Sequence, residues 1–307
     1  MKLLLLLVFA LGATSPLRSY PIQPQPLRKL YLESDLVVAV APGPTLRKGD
    51  RSFVDVKIRK CIKGKSDAES IRVYYEPLVF CPPSAYFPEG KTVLSFLKRA
   101  PEGYYRPFAW SYSTKTPTEE GMRLYEDRMA ELARMKEGQL KSIPDADVLE
   151  WLVKCAEHPA TRMEAIYEFR GSPDYPASDE KAPPIRFDTL TKRQGERLVK
   201  AFLDSKELDS PEASLAEFLA PVKDRRIDSK LREGLALAIL NKETFRGDDF
   251  MDVLALRLVI KEWSKLQNGM YEWKDDEFGE RHLGYADTSK RLKVLQDGLA
   301  LVDAKLK

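Results

Sequence analysis

The densest run of groups that could do chemistry is the acidic segment 274–282. Carboxylate oxygens are the ligands that hard cations such as Ca²⁺ prefer, and an imidazole can join them. The candidate metal ligands are therefore Asp275, Asp276, Glu277, Glu280 and His282. The segment lacks the spacing of an EF-hand loop, and Lys274 and Arg281 partly neutralise it. The alternative interpretation is a solvated loop between helices, because charge runs usually face water.

Aromatic residues form the second candidate site, in a predicted strand from Tyr104 to Tyr112 that contains Pro107. OB-type barrels use such residues to stack sugars or bases. The candidate ligand-binding residues are Tyr105, Trp110 and Tyr112. The alternative interpretation is core packing, because alternate residues of a regular strand share one face. Here those alternate residues would be Tyr104, Phe108, Trp110 and Tyr112.

Histidines are scarce, and this restricts catalysis. The chain has two, His158 and His282, which are too far apart in sequence for an HExxH zinc helix. No G-x-S-x-G nucleophile motif and no glycine-rich phosphate loop occurs. His158 precedes Pro159 at a predicted helix end, where a capping role accounts for it. We therefore predict no catalytic residue, no cofactor and a non-enzymatic role.

The charge balance argues against nucleic acid as a partner. The 307-residue chain has 50 Lys and Arg against 47 Asp and Glu, a net charge of +3. A protein that depends on phosphate contacts usually has a larger basic excess. Charged residues make up 32% and apolar residues 43%, which is typical of neither a disordered chain nor a multi-span membrane protein.

The first residues predict export. Lys2 precedes an apolar run from Leu3 to Leu11, and small residues follow from Gly12 to Ser15, which is the pattern of a secretory signal peptide. We expect this signal within residues 1–20, with a cut before Ala13. No cysteine follows the run, so no lipid anchor is expected. The mature protein should be secreted or periplasmic, without a transmembrane segment, and its partner should be a protein or an envelope component.

Three cysteines follow, at positions 61, 81 and 155. Cys61 and Cys81 lie at opposite ends of a predicted hairpin. At about 3.3 Å per strand residue, this puts their sulfur atoms about 25–30 Å apart. A disulfide needs Cα atoms within about 7 Å, so we predict no 61–81 bridge. Cys155 lies on an apolar helix face and is expected to be buried.

The N-terminal half is predicted to consist of strands. Val54, Val56 and Ile58 alternate with polar residues, which indicates a half-buried strand. Further strands are predicted at 36–41, 71–75, 92–97 and 104–112. Because Tyr74 and Tyr75 are consecutive, one of them should be exposed. Five short strands favour a small barrel or a sandwich, and a helix opened by Thr118 should pack on it. We predict this strand-built domain at 28–140.

The C-terminal half, 145–307, is predicted to be an all-α helical stack. Apolar residues recur there at helical spacing, and Thr191 with Gln194 forms a capping-box signature. Ser210–Pro211 and Asp287 are further predicted helix starts. The apolar stretch 250–266 is predicted to be one helix, and 172–184 a long loop. The expected fold class is therefore α+β in two domains.

The N-terminal half resembles a known family. Four segments have a familiar order: 34–40, 54–64 ending in Lys-Gly, Cys-Pro-Pro at 81–83, and 89–97 with Val-Leu-Ser-Phe-Leu. They resemble the tissue-inhibitor-of-metalloproteinase-like, or netrin-like, OB-type barrel of exported bacterial proteins, over about residues 30–137. The C-terminal half is similar to HEAT-like helical stacks. The resemblance implies a fold and no specific activity.

Zinc-chelating inhibition does not follow from this resemblance. The animal inhibitors hold the target's zinc through a cysteine at the mature N-terminus and contain several disulfides. An expected mature start near Ala13 and three cysteines provide neither feature. The sequence thus favours an exported, non-enzymatic binding protein. Two alternatives stay open: an inhibitor of an exported protease that works without zinc chelation, and a metal-dependent hydrolase with its site at 275–282.

Overall fold

The computed structural model describes most of the chain after its first 24 residues. The described ranges are 25–48, 51–75, 84–141, 145–170, 185–206, 208–275 and 281–307. The predicted signal peptide, Cys81 and the predicted loop at 172–184 lie outside them. No helix in these ranges is long and apolar enough to cross a membrane.

Six strands form the N-terminal sheet. They are β1 (Leu36–Lys48), β2 (Arg51–Lys63), β3 (Ser70–Tyr75), β4 (Val93–Arg99), β5 (Tyr105–Pro107) and β6 (Thr114–Lys115). The sheet order is β1-β2-β3-β5-β4-β6, and β1 also pairs with β4. This extra pairing closes five strands into a barrel of the OB type, as predicted. The β3–β5 contact is parallel, and the other strand pairs are antiparallel.

The alternation of apolar and polar residues along the strands determines which side chains fill the barrel interior. Val54 and Val56 of β2 and Val73 of β3 point inward and are fully buried, whereas Asp55 and Lys57 between them are exposed. The interior cluster contains Leu36, Val38, Val40, Val54, Val56, Ile71, Val73, Ala85, Phe87, Val93 and Leu97. Burial of these apolar side chains is the main force that stabilises the barrel.

Eleven α-helices are present in the described ranges. The first, α1 (Leu27–Glu33), precedes the barrel. After the barrel come α2 (Glu119–Arg134), α3 (Glu137–Lys141), α4 (Ala146–Glu157), α5 (Pro159–Phe169), α6 (Lys192–Leu203), α7 (Ser210–Phe218), α8 (Arg225–Leu240), α9 (Thr244–Leu258), α10 (Trp263–Gln267) and α11 (Thr288–Leu306). The α+β fold class, with a barrel followed by a helical region, is thus confirmed.

Polar side chains begin several of these helices where the sequence predicts. Thr118 accepts a hydrogen bond from the Gly121 N–H at the start of α2. Thr191 and Gln194 form the predicted capping box of α6. His158 follows the last residue of α4, at the predicted helix end, but its side chain caps the start of α5, where its Nδ1 accepts from the Ala160 N–H. These caps satisfy backbone donors that have no partner inside the helix.

The structure differs from the sequence predictions at several element boundaries. The strand predicted at 104–112 ends at Pro107, because proline has no N–H to continue the ladder, and residues 110–113 form a 3₁₀ helix. Asp209, rather than Ser210, caps α7. The helix predicted at 250–266 ends at Leu258, where Val259 adopts a left-handed conformation with φ of 54°.

A β-hairpin interrupts the helical region, which is therefore not all-α. Its strands are β7 (Tyr271–Asp275) and β8 (Arg281–Tyr285), and they pair antiparallel. The backbone N–H of Ala286 donates to the Met270 carbonyl at 2.8 Å, which ties the base of the hairpin to the helices. The described ends of the acidic segment, Lys274–Asp275 and Arg281–His282, thus lie on these two strands and not between helices.

The barrel and the helices share one hydrophobic cluster. Val37 of β1 and Leu94 and Phe96 of β4 point outward from the barrel and are fully buried against α1 and the helical region. Glu164 of α5 adds a polar connection. It accepts hydrogen bonds from the Tyr125 hydroxyl of α2 at 2.9 Å and from Lys115 of β6 at 2.7 Å. The outer surface of β1 and β4 is thereby covered.

Candidate functional site

The structure places the three predicted aromatic ligand residues in different surroundings. Tyr105 is half-buried against the barrel interior. Tyr112 packs edge-to-face on Tyr167 of α5, with ring centroids 6.1 Å apart. Trp110 is 40% exposed and begins the 3₁₀ helix with a φ of 51°. The three side chains do not form one platform, and a role for each in ligand binding stays a prediction.

The acidic candidate site is only partly described. Asp275 is exposed on β7 and lies 3.5 Å from Arg281, its cross-strand partner. Asp276, Glu277 and Glu280 fall outside the described residues, and His282 is described only as a backbone position on β8. Among the described residues no group of three His, Cys, Asp or Glu is placed to hold a metal ion. The metal site stays a prediction.

A different surface emerges on the barrel, on the outer side of β2, β3 and β5. Helices cover the outer side of β1 and β4, whereas here Asp55, Lys57, Arg72 and Arg106 are exposed. We call this surface the barrel face. It consists of the outward residues Phe53, Asp55, Lys57, Arg72, Tyr74, Tyr104 and Arg106. In an OB-type barrel, strands 2 and 3 and the loop before strand 5 form the usual ligand-binding surface.

Three aromatic rings contact one another on the barrel face. Phe53 and Tyr74 are cross-strand partners, with ring centroids 5.6 Å apart. Tyr104, at the start of β5, lies 6.1 Å from Phe53 and 5.9 Å from Tyr74. All three are half-buried, so each ring keeps part of its surface in contact with solvent. These contacts hold the rings in fixed positions before any ligand arrives.

Charged groups lie beside the three rings. Arg72 donates two hydrogen bonds to Asp55 across the strands, both at 2.8 Å, and its guanidinium lies over the Phe53 ring. The pKa of Asp55 is lowered because the Arg72 guanidinium stabilises its charged form. Lys57 and Arg106 form no salt bridge with any residue in the described ranges. The barrel face therefore has a positive balance.

The barrel face combines the features that bind flat or ring-shaped anionic groups. Aromatic rings stack on the faces of sugars or bases, and unpaired cations attract anionic substituents. The one carboxylate on this face is already held by Arg72, so it is poorly placed to transfer protons. The arrangement favours binding over catalysis.

Sequence reasoning missed most of this surface. It placed Tyr104 on the strand but did not connect it with Phe53, because their contact depends on the β3–β5 pairing. The available signal was parity: Phe53, Asp55 and Lys57 alternate with buried valines. Tyr74 and Tyr75 lie on opposite faces, since Tyr75 packs on the interior cluster, but the prediction that one of them is exposed is wrong, because both are half-buried.

Comparisons with known proteins identify no relative: no family model, no curated protein and no solved structure matches the chain. The resemblance to tissue-inhibitor-like barrels therefore stays a prediction. The evidence for a binding site on the barrel face is therefore the geometry of that face.

Proposed function

We propose that the protein is a non-enzymatic binding protein that holds an acidic polysaccharide on the barrel face. The observation that carries this proposal is the mutual contact of three aromatic rings on a face that also exposes Lys57 and Arg106, neither of which forms a salt bridge within the described ranges. Sugar rings would stack on Phe53, Tyr74 and Tyr104, and carboxylate or sulfate groups would pair with the cations.

The choice of a polysaccharide over a nucleic acid rests on two features of the sequence. The chain has nearly equal numbers of basic and acidic residues, whereas proteins that follow a phosphate backbone usually have a larger basic excess. The export signal predicted at residues 1–20 would bring the protein to the cell envelope, where acidic glycans occur. A location outside the cytoplasm is part of this proposal.

Isothermal titration calorimetry with polygalacturonate tests the proposal, with dextran as the neutral counterpart. We expect binding to polygalacturonate that weakens as salt is added, because salt screens exposed charges. Tyr104→Ala should weaken binding about tenfold, since it removes one of the three stacked rings. Arg106→Gln should weaken binding and reduce its salt dependence.

Tyr86→Ala is the matched control. Tyr86 is 66% exposed, and its backbone N–H donates to Thr114 of β6, away from the barrel face. This variant should bind like the wild type. Equal affinity for dextran and polygalacturonate, or unchanged binding by Tyr104→Ala and Arg106→Gln, would refute the proposal. Preferential binding of a single-stranded oligonucleotide would refute the polysaccharide as ligand.

A further inference from the structure

The hairpin β7–β8 exposes a second aromatic surface, far along the chain from the barrel face. Tyr271 lies opposite Tyr285, and Trp273 lies opposite Leu283, so the four side chains share one face of the hairpin. Trp273 is 62% exposed and Leu283 is 58% exposed. Contiguous apolar side chains of this size on a surface mark an interaction site more often than isolated ones do.

The base of the hairpin is held rigidly. The rings of Tyr271 and Tyr285 stack with centroids 5.1 Å apart, and Phe245 of α9 meets Tyr285 edge-on at 4.8 Å. The guanidinium of Arg291, on α11, lies 4.1 Å from the Phe245 ring centroid and 4.8 Å from that of Tyr285. These contacts present Trp273 and Leu283 to solvent in a defined orientation.

Three carboxylates of α9 follow Phe245 at helical spacing and so share its face of the helix: Asp248, Asp249 and Asp252. Asp252 accepts hydrogen bonds from Trp263 and Gln267, and Asp249 accepts one from Ser210. None of the three forms a salt bridge within the described part of the chain. Burial raises the pKa of Tyr271 at the hairpin base, and the negative charges of Asp248 and Asp252 raise it further.

Two kinds of polar group in this region lack partners among the described residues. Nε and Nη2 of Arg291 are buried and have no acceptor, although the side chain is only 5% exposed. Oδ1 of Asp248 is likewise buried and has no donor. A buried polar atom without a hydrogen bond costs free energy, so a docked group that supplied a partner would be favoured.

We infer that this surface, formed by Phe245, Tyr271, Trp273, Leu283, Tyr285 and the three aspartates, docks a basic, partly apolar polypeptide segment. Lysine or arginine side chains of the segment would neutralise the aspartates, and its apolar side chains would cover Trp273 and Leu283. Its backbone carbonyls would offer acceptors for Arg291. In the described part of the chain the two strands pair only with each other, so an outer edge can accept an extended segment.

A labelled peptide of alternating Lys and Val tests the inference by fluorescence anisotropy. The full-length protein should bind it, and should bind the corresponding Glu–Val peptide much less. Trp273→Ala should weaken binding about tenfold, as expected for a central aromatic anchor. The double variant Asp249→Asn, Asp252→Asn should also weaken binding several-fold, and asparagine keeps the acceptor that Trp263 needs.

Matched controls come from elsewhere on the surface. Leu240→Ala removes a leucine that is 75% exposed on α8, and Glu196→Gln removes an exposed carboxylate of α6. Both should bind the Lys–Val peptide like the wild type, and so should Tyr104→Ala, which separates this inference from the function proposed for the barrel face. Far-UV circular dichroism checks that each variant is folded.

The pH dependence of peptide binding supplies an independent test. Asp248 faces Asp249 and Asp252 of its own helix, Gln267 of α10, Tyr271 of β7 and Arg291 of α11. Its burial, with the two neighbouring carboxylates, raises its pKa to about 6. Peptide binding should therefore weaken as the pH falls through about 6, since one of three negative charges is lost.

Three results with the peptides would overturn the inference. They are equal binding of the Lys–Val and Glu–Val peptides, unchanged binding by Trp273→Ala, and equal losses in the hairpin and control variants. Binding of a neutral oligosaccharide that quenches Trp273 fluorescence, with no peptide binding, would also overturn it.

Discussion

Arg162 and Glu212 form an ion pair that is almost completely withdrawn from solvent, with side chains 1% and 2% exposed. Arg162 also donates to the Ala156 carbonyl at 2.9 Å, and Ser205 donates to Glu212 at 2.9 Å. The pair connects α5 with α7. A buried charge of this kind is tolerated because its partner and additional hydrogen bonds replace the lost hydration.

Glu212→Gln should lower the free energy of unfolding by about 3–5 kcal/mol, because the Arg162 charge would then be buried without a counterion. Glu196→Gln is the matched control, since Lys192 and Glu196 lie 3.9 Å apart and both are highly exposed. That change should cost less than about 0.5 kcal/mol. Urea denaturation measures both values, and similar losses in the two variants would contradict the argument.

At the scale of elements, the contact of α8 with α9 depends on a glycine. A Cβ atom on Gly234 would lie 2.9–3.1 Å from three ring atoms of Phe250, which is fully buried. Close approach of the two helices thus requires the absence of a side chain. The packing of α8 against α9 also positions the N-terminal part of α9, which borders the hairpin surface.

Gly234→Ala should destabilise the protein by about 1–2 kcal/mol. Overpacking a filled core costs about 1–3 kcal/mol, and this exceeds the gain of about 1 kcal/mol that alanine brings to a helix. Gly138→Ala in α3 is the control, because a Cβ atom there would meet no neighbour within 4 Å. The melting temperature should fall in the first variant and hold or rise in the second. A rise in both would show that Phe250 can shift.

At the scale of the whole molecule, the barrel and the helices depend on each other. Val37, Leu94 and Phe96 belong to the barrel strands, yet their side chains are buried in the cluster formed with the helices. A buried polar contact of Glu164 with Tyr125 and Lys115 crosses the same boundary. Burial raises the pKa of Tyr125, and the negative charge of Glu164 raises it further. Separation of the two regions would expose this surface to water.

We therefore expect both regions to unfold in a single cooperative transition. Phe96→Ala should lower the free energy of unfolding by about 3–5 kcal/mol, because it removes a fully buried ring. Hydrogen exchange in urea, measured by mass spectrometry, should show peptides of β2 and of α8 losing protection together. Persistent protection of α8 after β2 has exchanged would contradict this coupling.

Local signals in the sequence were sufficient for much of the fold. The valine alternation in β2 predicts a half-buried strand, and Thr191 with Gln194 predicts the start of α6, because each depends on neighbours within a few residues. The α+β class with a barrel before a helical region followed from these local patterns alone.

The tertiary structure alone decided which surfaces stay open. Phe53 and Tyr104 are 51 positions apart, and their contact exists because β3 and β5 pair and close the barrel. The strands β7 and β8 have five residues each, and so short an alternation of apolar and polar residues was too weak to predict the hairpin. Its aromatic face contacts α9 and α11. Sequence periodicity reports which side of an element is apolar, but the choice between covered and exposed sides is made by packing between distant segments.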